Sequence, residues 1–213
     1  MNSKAKALTF GISCFTALTG FSQVWDNGGV GNDWSTVDNW STNASPNGNG
    51  TAETLNIPGT SVMSTTFNDL RTVTIGGGHT VMQTGSAFLR AQSGGHLYIG
   101  DATGDGTLIS DSTAATQSLS NSIRLGRTVG STGTLTLNGS SLDSSAGGWI
   151  MVGEAGNGVM TISDGQLTGN SDIYIAGQLG SHNNATGILN VAGGTIRSTG
   201  TSLWRIGSAA NTA

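Results

Sequence analysis

Five short segments of this chain carry one pattern, apolar, any, apolar, small. They are Leu97-Tyr98-Ile99-Gly100, Ile123-Arg124-Leu125-Gly126, Ile150-Met151-Val152-Gly153, Ile173-Tyr174-Ile175-Ala176 and Trp204-Arg205-Ile206-Gly207. The small residues are 26, 27, 23 and 31 positions apart, a mean of about 27, within the range of roughly 20 to 50 that marks solenoids, propellers and arrays. A second unit lies between these marks: Gly, any, apolar, any, apolar, at Gly133 with Leu135 and Leu137, Gly158 with Met160 and Ile162, and Gly187 with Leu189 and Val191. The copy at Gly106 is degenerate, with Leu108 followed by Ser110. A third, shorter unit follows at Gly139 to Leu142, Gly165 to Leu167 and Gly194 to Ile196.

Each period thus contains three short alternating runs, and alternation argues for strands with one buried face. Three strands separated by Gly/Ser/Asn/Asp turns fit one coil of a right-handed parallel β-helix. A propeller blade would need four strands in roughly 40 to 45 residues. Coil pairs with coil about 4.8 Å away, so inward apolar residues pile into columns, while Gly takes the positive-φ corners. The expected fold is therefore all-β, a right-handed parallel β-helix of about seven coils at about 27 residues each. Leu55-Ile57, Val73-Ile75, Val81 and Phe88-Leu89 supply the early, less regular coils.

The N-terminus reads as a leader rather than a coil. Lys4 and Lys6 precede an apolar stretch from Ala7 to Phe21, and Gly20 and Ser22 suit a signal-peptidase site. The stretch is shorter than the roughly 20 residues that span a bilayer. Gly11 stands where a lipoprotein signal has Leu, so Cys14 is not read as a lipidation site. Removing residues 1–22 leaves no Cys, no Lys, six Arg and all 12 acidic residues. A Walker loop, a Schiff base, a thiolate zinc site and a disulfide are excluded with them. The sparse acidic surface gives no footprint for nucleic acid or anionic lipid, and no membrane span is expected in the mature part.

Residues 23–58 form a Trp-rich segment that leads into the first strands, with the repeats at 59–213. Trp25, Trp34 and Trp40 fall within 16 positions. They can cap the open end of a solenoid, or stack on sugars. With Asn39-Trp40-Ser41 at the end of this pattern, and Gly133-Thr134-Leu135-Thr136-Leu137 typical of the repeats, the mature chain resembles a group of secreted bacterial proteins. These are the β-helical proteins with autotransporter-associated repeats and the repeat shared by type V secretion passengers and PEP-CTERM proteins. The resemblance implies a bacterial surface or extracellular location. Such proteins end in a membrane β-barrel or in a Pro-Glu-Pro motif with an apolar span and basic tail. This sequence stops at Ala213 with neither, so a longer protein, or a partner covering the last coil, is expected, and with it end-to-end self-association.

Parallel β-helices also include polysaccharide lyases and hydrolases, which cluster Asp with Arg or Lys on one strand face. Here charged residues are 9% of the chain, against roughly a quarter in an average protein. No Asp-Asp pair exists. Asp101-Ala-Thr-Gly-Asp105-Gly106 imitates half a calcium loop, but its twelfth position is Ser112 rather than Glu. His79, His96 and His182 lack any catalytic context and read as turn or surface residues. The sequons Asn39-Trp-Ser41 and Asn138-Gly-Ser140 carry no message in a bacterial chain. No catalytic, cofactor or metal residue is assigned.

Register supplies the sharper expectations. Aligning Gly100, Gly126 and Gly153 puts Asp101, Arg127 and Glu154 in one column, with Arg127 between the two acids. It also stacks Tyr98, Arg124, Met151, Tyr174 and Arg205 on the outward side, where Tyr98, Arg124, Tyr174 and Arg205 form a candidate binding strip or a solvated ladder. The functional expectation is a secreted, non-enzymatic structural or adhesive repeat protein, whose partners would be surface polysaccharide or another cell-surface protein. The alternative is a carbohydrate-active or carbohydrate-binding β-helix.

Overall fold

The computed structural model describes residues 22–46, 52–87, 89–111, 116–118, 121–144, 148–177, 184–199, 201 and 203–207. Most of the leader 1–22, Cys14, Phe88 and His182 lie outside them. The strands in chain order are β1 (Gln23–Val24), β2 (Ala52–Leu55), β3 (Gly59–Met63), β4 (Phe67–Ile75), β5 (His79–Gln83), β6 (Leu89–Ile99), β7 (Gly106–Ser110) and β8 (Thr116–Ser118). They continue with β9 (Ile123–Leu125), β10 (Thr132–Ser144), β11 (Ile150–Val152), β12 (Asn157–Gly169), β13 (Ile173–Ile175), β14 (Thr186–Val191), β15 (Thr195–Ser198) and β16 (Trp204–Ile206). The described residues hold one short 3₁₀ turn, Val37–Asn39, and no α-helix.

Every strand pairing is parallel, and the pairings sort into three faces. The first runs β1, β2, the end of β4, the end of β6, β9, β11, β13 and β16. The second runs β3, β5, β7, the first half of β10, the first half of β12 and β14. The third joins the starts of β4 and β6 to β8, the second halves of β10 and β12, and β15. The three units of the repeat are these three faces, and the chain is a parallel β-solenoid. It makes about six turns from β2 to β16 rather than about seven. Residues 23–46 do not form a coil but fold across the end of the stack.

Inward columns explain why the pattern is alternating. On the first face Val73, Leu97, Ile123, Ile150 and Ile173 pair coil to coil, as do Leu55, Ile75, Ile99, Leu125 and Val152, and all are buried. Truncating one of them, as in Ile123→Ala, opens a void between two neighbours that cannot close, at about 2–5 kcal/mol. The degenerate Gly106 unit also has a physical account. Ser110 points inward and donates to Oε1 of Gln83 on the coil before, so two buried polar side chains satisfy one another.

The corners need Gly for want of room. Gly126 has φ 58°, and a Cβ there would lie 2.2 Å from the Asn157 carbonyl oxygen. At Ala176 the corner tolerates a methyl group at φ 65°, a conformation that costs a non-glycine residue about 1–2 kcal/mol.

Candidate functional site

Two regions gather the chemistry-bearing side chains: the cap over the N-terminal coils and the outward side of the first face. Alternation sets the second. Tyr98, Arg124, Met151, Tyr174 and Arg205 are in register on successive coils. Two positions before each of these stand His96, Ser122, Trp149, Asp172 and Leu203.

The ladder is knitted by its own members. His96 stacks on Tyr98 with ring centroids 5.1 Å apart, and the Arg127 guanidinium lies 4.2 Å from the Tyr98 centroid. Arg127 donates to Asp101 at 2.9 Å, and Arg124 donates to Glu154 at 2.7 Å and to the Ser122 hydroxyl at 2.9 Å. One coil group further on, Arg205 donates to Asp172 at 3.1 Å and sits 5.8 Å from the Tyr174 centroid. The strip residues Tyr98 and Arg124 are thus brought together, as are Tyr174 and Arg205, with buried Met151 between the two pairs. Each guanidinium of the strip is committed to a carboxylate.

Titration follows from these contacts. Burial, then the charges of Arg124 and Arg127, hold His96 below the ordinary 6.5. The Leu203 N–H, and then Arg205, hold the Asp172 carboxyl below its usual value against the opposing effect of burial. Burial and the neighbouring Asp172 charge push Tyr174 up.

The register places Arg127 beside Asp101 but corrects the other half of the expected column, because Glu154 turns to Arg124 instead. The backbone gives the reason. Arg127 N–H bonds to the Gly100 carbonyl, whereas Glu154 N–H bonds to Leu125 rather than Gly126. This one-residue slip at the Gly153 corner swings Glu154 back over the strand. Asp101 and Asp105 are also spoken for. Asp101 accepts from Arg127 and the Thr103 N–H, and Asp105 accepts from the Thr132 N–H at 2.7 Å. Among the described residues no group of three or more metal-ligating His, Cys, Asp or Glu forms.

In the cap, Trp25, Trp34 and Trp40 are at most 1% exposed. Trp40 meets Trp25 and Trp34 edge-on at 5.2 and 5.4 Å, and Trp34 packs on Phe67 at 5.5 Å. No indole face of the three is open to a sugar. The Asn39-Trp40-Ser41 motif divides the labour. Buried Asn39 accepts from the Gly29 N–H and donates to the Gly31 and Asp33 carbonyls, which shapes the loop. Trp40 fills the centre and donates to the Trp34 carbonyl. Ser41 bonds both ways to Val24, its N–H to the carbonyl and its hydroxyl from the N–H, and so closes the outer edge of β1.

His79 is the plainest correction, since it is a core residue rather than a turn or surface one, 1% exposed. Its Nδ1 lies 2.9 Å from the Ile57 carbonyl and its Nε2 2.9 Å from the Ser61 hydroxyl, which also accepts from Trp34 Nε1 at 2.8 Å. Burial holds the imidazole below 6.5.

Trp149 was not among the candidates. It is 40% exposed on the ladder and meets Tyr174 edge-on at 6.2 Å. The signal was present, since the alternation that turns Met151 outward turns Trp149 outward too. No helix among the described residues is long and apolar enough to cross a membrane. Comparison of the chain with protein-family models, curated proteins and solved structures gives no match.

Proposed function

We propose that this chain is a structural or adhesive segment of a bacterial cell surface or extracellular matrix, exported through its N-terminal leader and without enzymatic activity. It would belong with the proteins built from autotransporter-associated and PEP-CTERM-associated repeats. The observation that supports this reading is the in-register outer ladder on a parallel β-solenoid. Backbone pairing holds its side chains on rungs about 4.8 Å apart, and its guanidinium groups stiffen the array by pairing with carboxylates. A surface of this kind meets an extended partner at many weak points rather than acting on one bond.

The test is binding of the labelled mature chain to intact cells and isolated matrix, alongside mass spectrometry of the exported form. Retention on cells and a mature N-terminus at or near Gln23 are expected. Absence of retention, or Met1 on extracellular material, would sink the proposal. A second reading, carbohydrate binding, is favoured by one observation, the exposed Trp149 beside Tyr174 and the Arg205–Asp172 pair. A glycan array with the native chain and Trp149→Ala decides it, and release of reducing or unsaturated sugar ends would instead mark an enzyme.

A further inference from the structure

On the second face one register column, at the first or second residue of successive strands, holds Gly59, His79, Gly106, Gly133, Gly158 and Gly187. Five are glycine, and the repeat departs from its own rule once. The exception is one coil in from the strand that the tryptophan cap covers, with Gly59 and Gly106 flanking the imidazole. The ring is tied to the cap by two bonds in series, Trp34 Nε1–H to the Ser61 hydroxyl and that hydroxyl to His79 Nε2. Its other nitrogen meets the Ile57 carbonyl, and Trp25 lies edge-on at 6.0 Å. A carbonyl can only accept, so Nδ1 carries the proton and Nε2 accepts from Ser61.

We propose that His79 is a pH-sensitive latch, which holds the tryptophan cap over the N-terminal strand edge when its imidazole is neutral and releases the cap when the ring takes up a second proton. A proton on Nε2 displaces the Ser61 hydroxyl proton from its acceptor and places a cation in a buried site. β3 contributes Ser61 and no charge, β7 contributes none, and the β2–β3 connection contributes the Ile57 carbonyl. Asp33, in the cap, is turned to Ser35 and Ser64. Glu53 is buried on β2, in register with Val73. Burial holds the imidazole below 6.5, and its bond to the Ile57 carbonyl opposes that effect.

The response stays local because a solenoid transmits stability only between neighbouring coils. Every partner of the His79 ring lies in the cap, in β3 or in the β2–β3 connection. Releasing the cap bares the edges of β2 and β3, which β1 and residues 32–34 otherwise cover, and a bare parallel edge recruits strands from other chains.

The experiment follows hydrogen exchange of the Trp34 indole N–H in the full chain, expressed as a protection factor, from pH 7.5 to 5. Below about 6.5 the factor falls by up to about tenfold per pH unit, the slope for one linked proton, while the amides of β10 and β12 keep theirs. In His79→Gln the factor is flat across the range, and in His96→Gln it behaves as in the native chain. A flat native profile, an unchanged slope in His79→Gln, or parallel loss at β10 and β12 would overturn the latch. Should His79→Gln fail to fold, ¹⁵N shifts of the native His79 ring replace it. Ring protonation that leaves Trp34 protection intact would overturn the proposal, and coincident changes would support it.

Discussion

The cap and the outer ladder use the same residue types and put them to opposite ends. Trp34 and Trp149 are both indoles on a β-solenoid, yet one is fully buried and the other is 40% exposed. His79 and His96 both sit below 6.5, the first by burial alone and the second also through Arg124 and Arg127. Ser61 and Ser122 each link a histidine ring to the N–H of another side chain, Trp34 and Arg124. The cap lies across the mouth of the stack, where each polar atom must find a protein partner. The ladder lies along the flank, where Arg127, Arg205 and Trp149 reach water even though Ser122, Asp101 and Glu154 are buried. Position in the coil, rather than residue type, decides what a side chain is worth.

The widest gap is expected between the two sets of tryptophans. Trp40→Ala should destabilise the chain by about 3–5 kcal/mol, and Trp149→Ala by no more than about 0.5 kcal/mol, read from urea midpoints. Equal losses would dissolve the distinction between cap and flank. Next come the serines. Ser61→Ala strands the Trp34 and His79 nitrogens in the interior and should remove about 1–3 kcal/mol, whereas the partners of Ser122 can turn to water, so Ser122→Ala should fall below that range.

The histidines differ in kind more than in size. Both have folded-state values below the unfolded 6.5, so the unfolded chain binds more protons as pH falls. Stability is therefore full above about 6.5 and declines as pH drops through that value toward each folded-state value. High salt should weaken the His96 share, since part of it is repulsion by two guanidinium groups near solvent, and spare the His79 share. Melts of the two His→Gln variants at low and high ionic strength measure this, and a salt-sensitive His79 share would contradict its isolation from charge. The smallest effects belong to the ladder's ion pairs. Double-mutant cycles should give about 0.2–1 kcal/mol for Arg127 with Asp101 and for Arg124 with Glu154, and nothing measurable for Arg127 with Glu154.

What the chain revealed before its structure divides along the same line. The three faces, the inward columns and the outward stack of Tyr98 to Arg205 were legible, because parallel register is set by backbone pairing and side-chain direction by alternation. The partner of Glu154 was not, since a one-residue slip at a corner leaves no trace in the spacing of Gly100, Gly126 and Gly153. His79 was misplaced because its imidazole looks like a turn residue until the five glycines of its column are aligned with it. The three clustered indoles suggested two roles, and burial leaves no face for one of them.

Successive coils on the first face are separated by as few as 20 residues, Ala52 to Thr72, and as many as 31, Ile173 to Trp204. The first-face strands keep their register from Thr72 onward, and the corners, with the register shifts inside β4–β6 and β10–β12, absorb the difference. Distance along the axis is consequently counted in turns and not in residues, each turn advancing about 4.8 Å whatever its length. A chain built this way behaves as a ruler whose graduations survive insertion and deletion. Mutation can lengthen a corner or reshape what it displays, and the reach of the molecule stays the same.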